Sequence, residues 1–275
     1  MQLESLTSLT ATTEAWFLDE VIDLGDAFAL RCPSDPLFRW GNLLFLPRPP
    51  AAGSLPEWEA RFAAAFEDLP QVRHLTFAWC GADGALAQFV ETGYEPDANT
   101  VRDASADDLA GEVPTPDRFE LREVRSDSDW QAVMTMLVED PPEGDAPDEY
   151  LRHRRDRMAI HRAIVDGRRA GLRGAWYLAC LDGAPVGSMG VFVRGGLGRF
   201  QYVQVARAHR RKGVATAMVH AVAREGIVRW GAERLLIVAD EGTPADEIYA
   251  RLGFRELRDE RYVGACRKEG PAGAR

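Results

Sequence analysis

One short segment, His209-Arg210-Arg211-Lys212-Gly213-Val214-Ala215, joins two stretches of different periodicity. Before it, Phe200 to Ala206 (FQYVQVA) is aromatic and β-branched with partial alternation, the pattern of a strand. After it, Thr216 to Trp230 repeats apolar residues at Met218, Val219, Val222 and Ala223 with helical spacing. A strand that turns into a helix at a glycine presents unpaired amides and the positive end of the helix dipole at the turn. Glycine lets an anion approach the backbone with no Cβ in the way, and three adjacent cations add to the attraction. The segment therefore predicts a cradle for a diphosphate.

The chain continues in the same style. Arg234 to Ala239 (RLLIVA) reads as a buried strand, and Thr243-Pro244 opens a second helix, with Asp246 placed as a capping box would place it. That helix carries Tyr249 and stops at Gly253-Phe254. The order Arg210-x-x-Gly213-x-Ala215 resembles the (Gln/Arg)-x-x-Gly-x-(Gly/Ala) signature of the GNAT superfamily of acyl-CoA-dependent N-acyltransferases. The stretch Ala245-x-x-x-Tyr249-x-x-x-Gly253-Phe254 resembles the second motif of that superfamily, in the expected order and distance. The resemblance implies an α/β (α+β) GNAT fold, with a mixed, mostly antiparallel central sheet flanked by helices.

Composition bounds what else the chain can be. At 275 residues with 46% hydrophobic and 28% charged residues it is ordinary for a globular protein, with room for one large core or two modest ones. No apolar run approaches the length of a membrane span, and no leader is evident, so a cytoplasmic protein without a membrane partner is expected. Cys32, Cys80, Cys180 and Cys266 are scattered, with no metal-ligand spacing, so no metal is expected. The net charge of −10 is split unevenly, with 6 Lys+Arg against 19 Asp+Glu in residues 1–116, and therefore 33 − 6 = 27 against 43 − 19 = 24 in residues 117–275. An acidic chain is a poor nucleic-acid binder, and the asymmetry points to two domains with a Pro/Asp/Ala-rich linker between them.

Sliding the chain against itself by 160 residues aligns the halves without a gap. Trp16-Phe17-Leu18 fall on Trp176-Tyr177-Leu178, Gly53 on Gly213, Leu75 on Leu235, Phe89 on Tyr249 and Gly93-Tyr94 on Gly253-Phe254. Trp58, Phe62 and Phe66 form a helical stripe, and His74 to Trp79 a strand. We therefore expect two tandem copies, the N-terminal one incomplete: residues 1–103 a degenerate GNAT-like domain, 104–116 a linker, 117–268 a catalytic domain and 269–275 a flexible tail. The first copy has Pro50, Ala51 and Ala52 where the second has Arg210, Arg211 and Lys212, and Phe89 in place of Tyr249, so it is read as a structural or substrate-shaping partner. Mycothiol synthases are similar in pairing one degenerate GNAT half with one active half.

Carried onto this chain, the resemblance implies that Val203 and Val205 offer backbone groups to the pantetheine arm of acetyl-CoA. Arg210, Arg211, Lys212, Gly213, Val214 and Ala215 would wrap the pyrophosphate, and Tyr249 would be the general acid that protonates the departing thiolate. The expected activity is transfer of an acetyl group from acetyl-CoA to a primary amine of a small-molecule or peptidic acceptor, by direct attack in a ternary complex. The alternative is a non-catalytic acyl-CoA-binding sensor or assembly module. No acid lies on the strand before the phosphate loop, which leaves Asp240 and Glu241 as candidate bases, while His209 is expected to pack or face solvent. An acidic loop from Glu139 to Asp145 would draw in a cationic amine, and Arg152, Arg154, Arg155 and Arg157 of the following helix could dock on the acidic N-terminal domain or meet an anionic part of a ligand. The partners implied are acetyl-CoA and an amine acceptor, with a homodimer left open.

Overall fold

The structure, a computed structural model, describes residues 15–139, 147–169 and 171–268. In chain order the elements are β1 (Glu20–Asp23), β2 (Phe28–Arg31), β3 (Leu43–Leu46), α1 (Leu55–Ala65), β4 (His74–Cys80), α2 (Leu86–Glu91) and β5 (Glu95–Ala104). There follow β6 (Phe119–Glu123), α3 (Asp127–Leu137), α4 (Pro147–Val165), β7 (Arg173–Leu181), β8 (Ala184–Arg194) and β9 (Leu197–Val205). The chain then runs through α5 (Val214–Val228), β10 (Arg234–Asp240), α6 (Pro244–Arg251), β11 (Arg255–Glu256) and β12 (Tyr262–Lys268). Two compact units result. Among the described residues, the first comprises 15–101, 238–241 and 257–268, and the second those of 102–237 and 242–256.

This partition departs from the linear division read in the sequence. β12 pairs antiparallel with β4 along all seven of its residues and with β5 along five, which ties the end of the chain to the first unit. Residues 105–116 are packed onto the second unit: the Ala110 N–H donates to the Leu252 carbonyl (3.0 Å) and the Ala110 carbonyl accepts from His220 Nε2 (2.8 Å). Gly253, at φ +99°, allows the Asp108 carbonyl to lie where any Cβ would stand. Residues 269–275, expected as a flexible tail, lie outside the described residues.

In the first unit β1, β2 and β3 form an antiparallel meander, and β3 pairs in parallel with β4. The alternation of β3 buries Leu44 and Leu46 against α1 and α2, with Phe62, Phe77 and Phe89, and turns Leu43 and Phe45 to a second cluster with Phe28 and Tyr262. In the second unit β6 to β9 are antiparallel and β10 runs parallel to β9. One face is covered by α5 through Ala217, Met218, Val219, Val222 and Ala223, the apolar stripe of the sequence, all buried. Trp130, Val133 and Met136 of α3 are buried, and Trp130 meets Trp176 of β7 at 5.8 Å between ring centres. Helix α3 opens with a capping box, Ser126 and Asp129, whereas the one expected at α6 is not formed. Thr243 is the N-cap but makes no side-chain cap bond, and Asp246 is instead held by Arg102 through two bonds of 2.6 and 3.0 Å.

Candidate active site

The strand β9 is built to stop pairing halfway. It pairs with β10 only through Leu197, Gly198 and Arg199, opposite Arg234, Leu235 and Leu236, although β9 runs on to Val205. On its other edge the ladder to β8 skips a residue, with Ser188 opposite Gln204 and Gly190 opposite Gln201. The extra residue is a bulge that puts Tyr202 at φ +48°. The Ala206 N–H donates to the Val186 carbonyl (2.9 Å), so the neighbouring pair Gly187 and Val205 is a non-bonded one. The main-chain groups of Val205, and by alternation those of Val203, therefore face the open edge of β9. Arg210 reaches back along this edge, its Nε donating to the Val205 carbonyl at 3.0 Å.

Beyond β9 the chain makes the expected turn into α5. Arg211 at φ +60° and Gly213 at φ +81° are both left-handed, flanking Lys212, and Gly213 is the N-cap of α5 with no side chain to cap it. A Cβ at Gly213 would meet only Pro116 Cγ at 3.8 Å, so the space is open and the glycine is needed for its conformation. The ladder of α5 opens with the Ala217 N–H on the Gly213 carbonyl (3.0 Å), which leaves the N–H groups of Val214, Ala215 and Thr216 without intrahelical acceptors. An alternating left-handed turn at a helix start is a concavity of amides suited to phosphate oxygens.

Next to this turn lies a cleft of about 380 Å³, lined by Leu137 of α3, Tyr150 and Arg154 of α4, residues 202–205 of β9, and Arg210. Tyr249 sits on α6, buried, and its ring meets Phe254 at 6.4 Å, which in turn meets Phe200 edge-on at 5.9 Å. Phe200 is the first β9 residue past the paired stretch, so two ring contacts tie Tyr249 to the point where the strands part.

The family model for GNAT acetyltransferases matches residues 130–254, which span α3 to α6 and every feature just described. By this match the segment is similar to the GNAT acetyltransferases. The whole chain is similar in fold to a functionally unknown conserved protein of Staphylococcus epidermidis, at 13% identity and a TM-score of 0.71 over 92% of this chain and 94% of that one. It is similar also to a GCN5-related N-acetyltransferase of Kribbella flavida, at 17% identity and a TM-score of 0.67 over 98% and 96%. A tandem GNAT protein from the clavulanic acid biosynthesis pathway matches at 19% identity and a TM-score of 0.56 over 84% and 76%. Among curated protein sequences none matches this chain.

The second unit brings Val203 and Val205 of β9 and the loop from Arg210 to Ala215 close together. The candidate bases fare differently. Glu241 is committed to Arg261, which donates Nε and Nη2 to its two carboxylate oxygens at 2.9 and 3.0 Å and also binds Asp83, so its carboxylate is not placed as a base. Asp240 is exposed in the first unit, where its charge joins burial in raising the Asp97 carboxyl above the usual carboxylate range, against a hydrogen bond from Asn99. His209 is half-buried, with Nδ1 enclosed and unpartnered. Asp140 to Asp145 of the acidic loop lie outside the described residues, while Glu139 accepts the Arg207 N–H at 2.9 Å. The cleft residues Tyr150, Arg154 and Tyr202 were missed as a group, because the β9 bulge beside Tyr202, whose ring lies against Arg154, has no local signal in the sequence. Among the described residues no helix is long and apolar enough to cross a membrane.

Proposed function

We propose that the second unit is an acetyl-CoA-dependent N-acetyltransferase, moving the acetyl group onto a primary amine of a small-molecule or peptidic acceptor by direct attack in a ternary complex. The observation that carries this reading is the open edge of β9 running into the left-handed turn at Gly213. The residues fit acetyl-CoA: main-chain groups of Val203 and Val205 would hold the pantetheine amides. Arg210, Arg211, Lys212 and the amides from Gly213 to Ala215 would hold the pyrophosphate. Bound there, acetyl-CoA supplies an acyl thioester activated for aminolysis.

The remaining chemistry falls to the chain. The carbon–nitrogen bond forms as the carbon–sulfur bond breaks, and the Tyr249 hydroxyl gives its proton to the departing sulfur and regains one from the amine by way of solvent. The contacts of Tyr249 with Phe254 and of Phe254 with Phe200 would hold that tyrosine in place. Calorimetric titration of acetyl-CoA into the wild type and into an Arg210→Ala, Gly213→Glu variant tests the reading. Micromolar binding abolished in the variant supports it, and CoA release then serves to screen amines. A folded wild type that binds no acetyl-CoA would refute it.

A further inference from the structure

Strand β1 lies at the end of the strand order and, among the described residues, pairs only with β2. The Leu24 N–H donates to the Ala27 carbonyl at 2.9 Å, which makes Leu24 and Ala27 a hydrogen-bonded pair. By alternation Ile22 opposite Ala29 and Glu20 opposite Arg31 are bonded pairs as well, whereas Val21 opposite Leu30 and Asp23 opposite Phe28 are not. The N–H and C=O groups of Val21 and Asp23 therefore point away from β2, along the open edge.

The side chains around those groups are unlike those of an ordinary edge. All of β1 is exposed, while all of β2 is buried. Of the five large apolar side chains exposed among the described residues, Val21, Ile22 and Leu24 stand together here. Sheets commonly guard an edge with lysine, proline or a bulge, but β1 carries neither residue and its register to β2 is unbroken. Its charges are all acidic. Asp19 and Asp23 accept the Ser34 and Gly25 N–H groups at 3.0 and 2.8 Å, and among the described residues no cation meets either. Glu20 shares Arg31 with Asp68, at 3.4 and 2.7 Å.

This pattern decides which strand can be added. A second copy of β1 must set outward-facing residues opposite outward-facing ones, which are the odd-numbered residues. An antiparallel copy centred on Val21 puts Asp19 opposite Asp23 at both ends, and one centred on Asp23 puts that acid against itself. A copy centred on Ile22 puts Asp23 against Val21 and Glu20 against Leu24, acid on apolar throughout. A segment reading apolar, cationic, apolar, apolar, cationic, laid antiparallel from Leu24 to Glu20, instead matches every position. The acidic excess of residues 1–116, 19 against 6, attracts the same partner from a distance.

We infer that β1 is a docking edge for an extended, cationic and apolar segment of another protein, which adds as a strand to the main-chain groups of Val21 and Asp23. This role is independent of the acyltransferase reading.

The probe is a capped heptapeptide, Ser-Val-Lys-Val-Val-Lys-Ser, beside a counterpart with glutamate for both lysines, each titrated to millimolar concentration and followed by NMR on the full chain. The lysine peptide is expected to bind at least about tenfold tighter, because two cross-strand pairs turn from attraction to repulsion in its counterpart. It should slow hydrogen exchange of the Val21 and Asp23 amides by at least about tenfold and leave that of Ile22 nearly unchanged. Val21→Pro removes an N–H that β2 does not use, so it should keep the unfolding midpoint and weaken the lysine peptide by about tenfold. Asp23→Lys should narrow or reverse the preference between the peptides. No binding of the lysine peptide, equal binding of the two, or full binding by Val21→Pro would overturn the inference. Slow exchange of both amides in the free protein would overturn it too, giving the edge to a second copy if the protection grows with concentration and to the chain's own N-terminal residues if it does not. The comparison of the two peptides uses the wild type alone, so it decides the matter even where a variant does not fold.

Discussion

In the first unit β3 and β4 pair through Leu44, Phe45 and Leu46, opposite Phe77, Ala78 and Trp79. In the second, the positions 160 residues on from Leu44 to Leu46 are Gln204, Val205 and Ala206, and the β9–β10 ladder has already ended at Arg199. The shift is structural as well as sequential: β4 (74–80) falls on β10 (234–240), Gly53 at φ +78° on Gly213 at φ +81°, and Gly93 at φ +89° on Gly253 at φ +99°. Even the helix stops agree, with the Tyr94 N–H on the Phe89 carbonyl (3.0 Å) and the Phe254 N–H on the Tyr249 carbonyl (3.1 Å). The strand before the turn is thus paired up to Leu46 in the first unit and open beyond Arg199 in the second, on ladders whose registers differ by four residues. The turn is treated likewise. In the first unit the Gly53 N–H donates to Gln88 Oε1 (2.8 Å) and Gln88 Nε2 donates to the Ala51 carbonyl (3.0 Å), so a side chain occupies the would-be phosphate cradle. The matching residue in the second unit is Ile248, which offers neither group.

The largest effect that can break this comparison is on acetyl-CoA affinity. Gly213→Glu forces a side chain and a negative charge into a left-handed position at the cradle and should weaken binding by more than about 100-fold, whereas Gly53→Glu should leave it within about twofold. The wild type should bind one acetyl-CoA per chain by calorimetry. Two sites, or equal losses in the two variants, would mean that the units are functionally alike.

Next comes turnover. Tyr249→Phe makes the second unit copy Phe89 of the first, and kcat should fall by about 100-fold with acetyl-CoA affinity retained, the scale of a lost general acid. Phe89→Tyr should add nothing. Unchanged kcat in Tyr249→Phe removes that tyrosine from the chemistry.

Much of this was legible in the sequence, and the reason is local. Gly213, the cations before it and the Gly253-Phe254 stop act through backbone conformation and nearest neighbours, which spacing reveals. The zipped pairing of β3 with β4 was not legible, because Leu43 to Leu46 would be buried in either state and only the ladder to a distant strand tells them apart. Gln88 reads as a surface residue on an amphipathic helix, and its partners lie 35 and 37 residues away. The capping box at α6 failed because Arg102, 144 residues off, competes for Asp246 with two charge-assisted bonds. The placement of β12 in the first unit rests on ladders to β4 and β5 that no local pattern announces.

Acid should separate the units. Burial pushes His74 of β4 down to about 4, against a hydrogen bond in which its Nε2 donates to the Asn42 carbonyl (3.1 Å), and Arg39 adds to the lowering. A histidine whose folded pKa lies below its unfolded value stabilises fully above the unfolded pKa and loses that contribution as pH falls. The first unit should therefore weaken between about pH 6.5 and 4, by at most about 3 kcal/mol. In the second unit Asp129 is pushed up by burial but held lower overall by hydrogen bonds from the Ser126 and Arg125 N–H groups, the Ser126 side chain and Arg122, so its contribution fades only below the ordinary carboxylate range. Segment-resolved hydrogen exchange at pH 7 and 4.5 should show β3 and β4 opening first, and His74→Gln should flatten that dependence. Equal acid sensitivity of β4 and α3 would contradict the assignment.

The smallest effect sharpens which device closes the first unit. Gln88→Ile copies Ile248 and removes both bonds to the turn, and because those bonds face solvent the loss of stability should be about 1 kcal/mol, read from urea unfolding. Stoichiometry should remain one acetyl-CoA per chain. With the turn unplugged, the β3–β4 ladder still holds the main-chain groups that a pantetheine would need, and Pro50, Ala51 and Ala52 still lack the cations of the second unit. A second binding event in Gln88→Ile would show that the glutamine alone kept the cradle shut, and that the zipped strands part readily once it is gone.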